Sequence, residues 1–403
     1  MRHDRGVPPA NPHPASFGTS GVVGAEGRYR VDERPATPIR IDGRRLLPVG
    51  PLRMYTCGIT PYDVTHVGHA STFVWADLIA TLAHGIGADT LVCRNVTDVD
   101  DVLTEAARTR GWHFDELALT QEFLFDRDMK ALRVTAPDVA PHARSYIPAV
   151  VRLASALLDA GAAYERDGFV YFRGEHVPEA AGIGADEAMR LSQEYGDQDD
   201  VPDRDSVFDV PVWRPSPDDH PAWPSPWGWG RPGWHAECAA MAVAALGSSV
   251  DVLLGGADLT FPHHAYQVAM VEAATGVRPF AQAVVHVGEV QYSGRKMAKS
   301  TQNLVLVGDL LERWSGAVVR LGLLDRRYDA PWECTDAEFA GAATKLERLY
   351  AAAEGAPGHV APHQGVMDRL TDDLDVPGAI DLALAEGGAA ARCLLEALKV
   401  EPE

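Results

Sequence analysis

Apolar positions along the chain follow two alternating rhythms, in two separated regions. A short strand-like run from Arg53 to Gly58 feeds a turn containing Pro61 and Gly68. A helical stretch follows from His69 to about His84, in which Phe73, Val74, Leu78 and Leu82 fall at helical spacing. A second strand is predicted over Thr90 to Val96. The alternation resumes with a helix from His235 to Leu246, a strand from Val250 to Leu254, a helix from His264 to Thr275 and a strand from Ala283 to Val287. Strands alternating with helices predict a doubly wound α/β unit, whose ligands gather at the carboxyl ends of strands and at helix N-termini. Because the rhythm is interrupted, the nucleotide-type domain is expected in two pieces, 28–136 and 211–305, around an insertion over 137–210. Glu194 to Asp205, dense in Asp and Pro, reads as a surface loop within it. After Leu304 the pattern is helical. Its clearest segments run from Phe339 to Glu354 and from Val366 to Lys399, with a Gly/Pro linker from Gly355 to Pro362 between them.

Composition narrows the function class. With 36 Lys+Arg against 57 Asp+Glu the formal charge is -21, which repels nucleic acid at long range and argues against tRNA as a partner. Residues 1–27, rich in Pro, Gly, Ser and His, contain no apolar core of signal-peptide type and are expected to form a flexible tail. The longest aliphatic stretch, Ile147 to Tyr164, is interrupted by Arg152 and Asp159 and reads as a buried or amphipathic helix, not a membrane span. Five scattered cysteines without an export signal argue against a disulfide framework and leave thiols for packing or metal, in a cytoplasmic protein.

Two short motifs carry chemistry. His66-Val67-Gly68-His69 stands between a strand and a helix, where free backbone N–H groups and the positive helix end favour phosphate. A plain reading is that these histidines only cap the helix. Arg295-Lys296-Met297-Ala298-Lys299-Ser300 follows the last strand and a Ser293-Gly294 turn, placing two lysines on what is expected to be a mobile loop near the end of the sheet. Alone, such lysines are usually just solvated. Together and in this order, HxGH and KMxKS resemble the class I aminoacyl-tRNA synthetases. The resemblance implies a Rossmann-like nucleotide-binding fold with an inserted connective domain at 137–210. It also implies a stem-contact segment and short helical bundle over 306–403. Both motifs would bind ATP, with His66, His69, Lys296 and Lys299 stabilising the charge that develops as a carboxylate attacks the α-phosphorus. Gly68, Gly256 and Val287 would be further ATP contacts, and magnesium would accompany the nucleotide. Ala298 departs from the family pattern, which has serine there.

The words CGITPYDVTHVGH, NVTDVDD, RPGWHAEC, GGADLTFPHH and RKMAKS, spread over about 51–330, together resemble the cysteinyl-tRNA synthetases. That resemblance implies a zinc ion on Cys57, Cys238 and His263, with Thr60, Thr97, Trp234 and Asp258 around the amino acid. Zinc would bind the substrate thiolate and so reject serine. By their sequence surroundings alone these residues could equally be core cysteines, helix caps and turn residues. The synthetase pattern has a glutamate four residues after the histidine. Gln267 stands there instead, which leaves three ligands and an open position.

That loss, the proline in CGITPYD and the run WPSPWGWGRPGWHAECAA most resemble the mycothiol cysteine ligases, which join cysteine to the amine of glucosaminyl-inositol and release AMP and pyrophosphate. The stretch after Lys299 suits a small helical bundle more than an anticodon-binding domain. The alternatives are a shortened cysteinyl-tRNA synthetase, a cysteine ligase with another amine acceptor, and a non-enzymatic nucleotide-binding or tRNA-binding regulator. The partners expected are small molecules, with the chain a monomer or homodimer. Five of the nine tryptophans lie between Trp213 and Trp234 among Pro and Gly, and read as a rigid loop over the pocket.

Overall fold

A computed structural model describes residues 38–46, 49–196, 204–218, 220–297, 303–355 and 362–402. The expected N-terminal tail, Ala298, Lys299 and most of the Asp/Pro-rich stretch lie outside them.

The α/β alternation is realised as a four-stranded parallel sheet. Its strands are β1 (Leu52–Ile59), β2 (Thr90–Val96), β3 (Val250–Gly256) and β4 (Ala281–Val287), and they lie side by side as β4, β3, β1, β2. Neighbouring side chains on a strand point to opposite faces, so each strand feeds two cores. Met54, Leu254 and Val285 pack with the helix α1 (Val67–Gly85) and the C-terminal helices. Tyr55, Cys57 and Leu253 pack with α2 (Trp234–Leu246) and α3 (Ala265–Thr275). Helix α1 is buried nearly all round, with Trp75 fully enclosed, because it lies between the sheet and the C-terminal helices.

Two features differ from the expected organisation. Between the halves of the sheet lies a five-stranded antiparallel sheet that runs past residue 210 to Pro232. Its order is Ala163–Arg166, Phe169–Phe172, Val210–Pro215, Gly228–Pro232 and Trp223–Ser225. The tryptophan-rich run is therefore not a loop over the pocket: Trp213 is buried in one strand, while Trp229 is two-thirds exposed on another. Antiparallel pairing around the Trp227-Gly228 turn satisfies the backbone there, and Trp234 alone of the five opens a helix at the site.

The second difference is at the C-terminus, where the segment expected as one helical stretch is three helices, Gln364–Leu370, Val376–Glu386 and Gly388–Leu398. Asp375 starts the middle one by accepting from Gly378 N at 3.0 Å. Gly387 separates it from the last helix, which Gly388 opens; both are at positive φ, a conformation that a side chain would strain. Among the described residues no helix is long and apolar enough to cross a membrane.

Candidate active site

The carboxyl ends of the four parallel strands open into one cavity of about 570 Å³. Each strand end delivers residues to it: Cys57 and Thr60 from the end of β1, Thr97 just past β2, Gly256 and Asp258 from the end of β3, and Val287 from β4. Trp234 and Cys238 come from the first turns of α2, and His263 from the segment just before α3. The backbone of Phe261 is extended (φ -144°, ψ 134°), which breaks the helical run and sets His263 and His264 inward ahead of α3. His66, Gly68 and His69 stand at the start of α1, and Lys296 on a short strand at the rim. Every site residue expected from sequence therefore lines one cavity, except Lys299, which is outside the described residues.

At the floor, the ligand atoms of Cys57, Cys238 and His263 all lie within 4.8 Å of one another, and all three residues are buried. Surrounding groups orient them. His235 Nδ1 and His263 Nδ1 share a hydrogen bond of 3.0 Å, which leaves Nε2 of His263 for a metal. Trp234 stacks on the His263 ring at 4.2 Å between centroids. The Cys57 thiol donates to Gln267 Oε1 at 3.6 Å, and Asn95 Nδ2 donates to Cys238 Sγ at 3.4 Å. His264 Nε2 lies 3.2 Å from Cys57 Sγ, and its Nδ1 lies 3.0 Å from His286 Nε2.

The electrostatics suit a metal. The hydrogen bond from Cys57, aided by His263, pulls the Cys238 thiol well below its ordinary range, while burial pushes Cys57 up. Burial drives His235 and His264 well below the usual histidine range, and takes His286 down to about 4, so these rings are neutral at physiological pH. An imidazole and two thiols, one of them readily ionised, are a soft donor set of the kind zinc takes. Gln267 Nε2 and His235 Nε2 are buried with no hydrogen-bond partner, orphan polar atoms beside the cluster. All five cysteines are free thiols.

Above the floor, Thr60 Oγ1 and Thr97 Oγ1 are 2.7 Å apart, and Thr60 also donates to Asp100 at 3.4 Å. Gly256 leaves room for Asp258 as it stands: a Cβ there would come within 2.4 Å of Asp258 Oδ1 and turn the carboxylate aside. His66 and His69 stack at 3.8 Å, and a Cβ on Gly68 would press on the His66 ring at 3.0 Å. His66 occupies the N-cap position of α1 without a side-chain cap hydrogen bond, so the plain capping role does not account for it. At the rim, Lys296 is held in the short strand Arg295–Lys296 paired to Gln291, and is not on a free loop as expected.

Sequence reasoning passed over several lining residues. Asn95, in the quoted NVTDVDD word, also accepts from Gly58 N at 2.9 Å and so ties β1, β2 and α2 together; its place in that word was the available signal. Tyr62, inside the CGITPYD word, also lines the cavity, and Phe73, Glu194, Tyr195 and Glu289 line it with no motif to mark them.

This is the layout of a class I synthetase-type nucleotide enzyme, and solved structures share it. One is the Mycobacterium tuberculosis methionyl-tRNA synthetase in complex with methionyl-adenylate, with a TM-score of 0.59 at 16% identity over 87% of this chain and 81% of that one. Another is the Agrobacterium radiobacter K84 agnB2 LeuRS–tRNA–LeuAMS ternary complex, with a TM-score of 0.59 at 11% identity over 88% and 83%. The family model for the catalytic domain of tRNA synthetases class I (C) matches residues 46–344. The chain is 43% identical, over 84% of its length and 86% of the relative's, to an L-cysteine:1D-myo-inositol 2-amino-2-deoxy-alpha-D-glucopyranoside ligase of Acidothermus cellulolyticus. A ligase of the same name from Streptosporangium roseum is 40% identical, over 87% and 91%. The chain belongs to this ligase family within the class I (C) synthetase fold.

Proposed function

We propose that the protein activates L-cysteine with ATP as cysteinyl-adenylate and then transfers it to the amine of glucosaminyl-inositol, releasing AMP and pyrophosphate. The observation that carries this reading is the convergence of Cys57, Cys238 and His263 at the floor of the cavity whose rim bears His66, His69 and Lys296. A zinc ion held by the three floor residues would bind the substrate as thiolate, which a serine hydroxyl, far less acidic, matches poorly.

The chain's own groups account for the rest. Trp234, stacked on His263, walls the amino-acid side of the cavity. The Asp258 carboxylate suits the α-ammonium, and the Thr60 and Thr97 hydroxyls, fixed against each other, supply oriented dipoles for the remaining polar atoms. The start of α1, with Gly68 allowing close backbone approach, presents N–H groups and two imidazoles to the phosphates. Gly256 and Val287 line the nucleotide part of the cavity, and magnesium would accompany ATP. Lys296 and Lys299 would balance charge on the pentavalent phosphorus. This chemistry runs on ATP in the cytoplasm and requires neither membrane nor tRNA.

Product analysis by mass spectrometry tests the reading, with ATP, magnesium and cysteine supplied alongside either glucosaminyl-inositol or cysteine-accepting tRNA. The expected product is the cysteinyl amide of glucosaminyl-inositol together with AMP. Charged tRNA alone would instead identify a shortened synthetase, and AMP formation with neither product would mean a different acceptor.

A further inference from the structure

The Lys296 ammonium is held by two groups that belong to different parts of the chain. Glu289, on the turn after β4, lies 3.2 Å away through Oε1. The Tyr195 ring, at the end of the helix Ala185–Tyr195 in the inserted segment, lies 4.1 Å from Nζ to its centroid. The three form a closed set, because the Tyr195 hydroxyl donates to Glu289 Oε1 at 3.3 Å. Their backbones are fixed as well. Lys296 pairs with Gln291, its carbonyl accepts from Asn303 Nδ2 at 3.0 Å, and the Glu289 carbonyl accepts from Trp332 N at 3.0 Å.

All three side chains line the cavity. A flexible four-carbon stem gives a lysine ammonium a wide sweep, and an aromatic face narrows it by electrostatic attraction without neutralising the charge. A carboxylate alone would also hold the ammonium, but it would compete directly with phosphate for it. The ring supplies the part of the restraint that a triphosphate does not have to displace.

We propose that Tyr195 is a positioning residue for Lys296, so that the inserted segment, and not only the lysine strand, sets where this ammonium stands against ATP. The nucleotide half of the inference rests on the function proposed above; the geometric half does not. Helix Ala185–Tyr195 also packs on the segment Thr260–His264 that carries His263, so one inserted helix touches both the lysine side and the thiol side of the cavity.

Two measurements on the full chain test this. The first needs no ATP: the rate at which an amine-acetylating reagent modifies Lys296, followed by peptide mass spectrometry, with Lys345 on the helix Asp336–Ala353 as the folding control. Tyr195→Leu should raise the Lys296 rate at least threefold and leave Lys345 unchanged, and Tyr195→Phe, which keeps the ring, should stay near the parent. An unchanged Lys296 rate overturns the proposal whatever the enzyme does. Should Tyr195→Leu also expose Lys345, Tyr195→Met takes its place, since it fills the space without a ring, with the same rise expected at Lys296 and no rise again overturning the idea.

The second measurement is cysteine-dependent ATP–pyrophosphate exchange. Tyr195→Leu should raise KM for ATP about three- to fivefold, the size of one lost cation–π contact, with KM for cysteine unchanged and Tyr195→Phe restoring the parent value. A rise in KM for cysteine with KM for ATP unaltered defeats the positioning role. Absence of exchange in the parent protein would instead defeat the proposed function, and the acetylation rates would still decide the geometry.

Discussion

Arg320 and Asp77 form an ion pair that water does not reach. Arg320 Nη2 lies 2.5 Å from Asp77 Oδ2, and the two side chains are 0% and 2% exposed. The guanidinium spends its other donors on the carbonyls of Leu398 and Leu132, at 2.6 and 2.9 Å, while Lys399 closes on the same carboxylate at 2.8 Å. The pair thereby bolts α1, which begins at the His66–His69 motif, to the end of the last helix. Removing Arg320 leaves two orphan carbonyls and a buried carboxylate with Lys399 as its remaining countercharge, so Arg320→Met should cost about 2–4 kcal/mol in denaturant unfolding, somewhat less than an unpaired buried charge would. A loss under 1 kcal/mol would show that the network is not what holds these helices together.

The same carboxylate gives a pH dependence with a definite sign. Burial alone would raise Asp77, but Arg320 and then Lys399 outweigh it and hold the group below the ordinary carboxylate range. A depressed folded-state pKa contributes stability that is present above the unfolded value, about 3.9, and is lost as pH falls through the folded value. Asp77→Asn should therefore be clearly less stable than the parent at pH 7, with the gap shrinking as the pH is lowered below about 4. A gap that stays constant into acid would mean the charge on Asp77 is not what stabilises the fold.

Cys57, Cys238 and His263 make a sharper forecast for metal content. Protein purified without chelator should carry close to one equivalent of zinc, and Cys238→Ser or His263→Ala should lose it along with cysteine-dependent exchange. Full exchange activity in metal-free protein would remove the metal from the mechanism.

The start of α1 should matter to turnover more than to stability. If His66 and His69 oppose charge developing on phosphate, His69→Ala should lower kcat for adenylate formation by roughly 10²–10³-fold, the usual cost of one oriented donor. Its melting temperature should stay near the parent's. Parallel losses of activity and stability would make these histidines helix-capping residues after all.

At the edge of the sheet, His142 and Glu122 hydrogen bond at 3.0 Å, with the histidine raised chiefly by that bond and the carboxyl lowered chiefly by it. The raised histidine contributes fully below its unfolded value near 6.5 and loses its contribution as pH rises through the folded value; the lowered glutamate loses its own in acid. The pair should therefore help most between those limits, and its partial exposure keeps the effect below about 1 kcal/mol. Titration by NMR should place the His142 pKa above the usual range in the parent and nearer to it in Glu122→Gln.

What the sequence determined by itself was mainly what depends on near neighbours. The alternation of apolar positions marked the four strands and three helices of the nucleotide fold to within a few residues, since period and side-chain direction are local properties of the backbone. The words around Cys57, His66, Cys238, His263 and Lys296 marked the residues that line the cavity, because each word is a strand end or helix start whose geometry its own residues impose. Tertiary structure alone decided which of these ends meet. The strand order β4, β3, β1, β2 sets Cys57 beside Cys238 and His263, and no short-range pattern encodes that order. It also decided that Asn95 would clamp the thiol side and that Tyr195 would cross from the inserted segment to Lys296. The tryptophan-rich run could be read as a loop because Pro and Gly punctuate it. Its later strands, Trp223–Ser225 and Gly228–Pro232, pair within the run and with Val210–Pro215, and it is the pairing of Val210–Pro215 with the distant Phe169–Phe172 that joins them to a sheet.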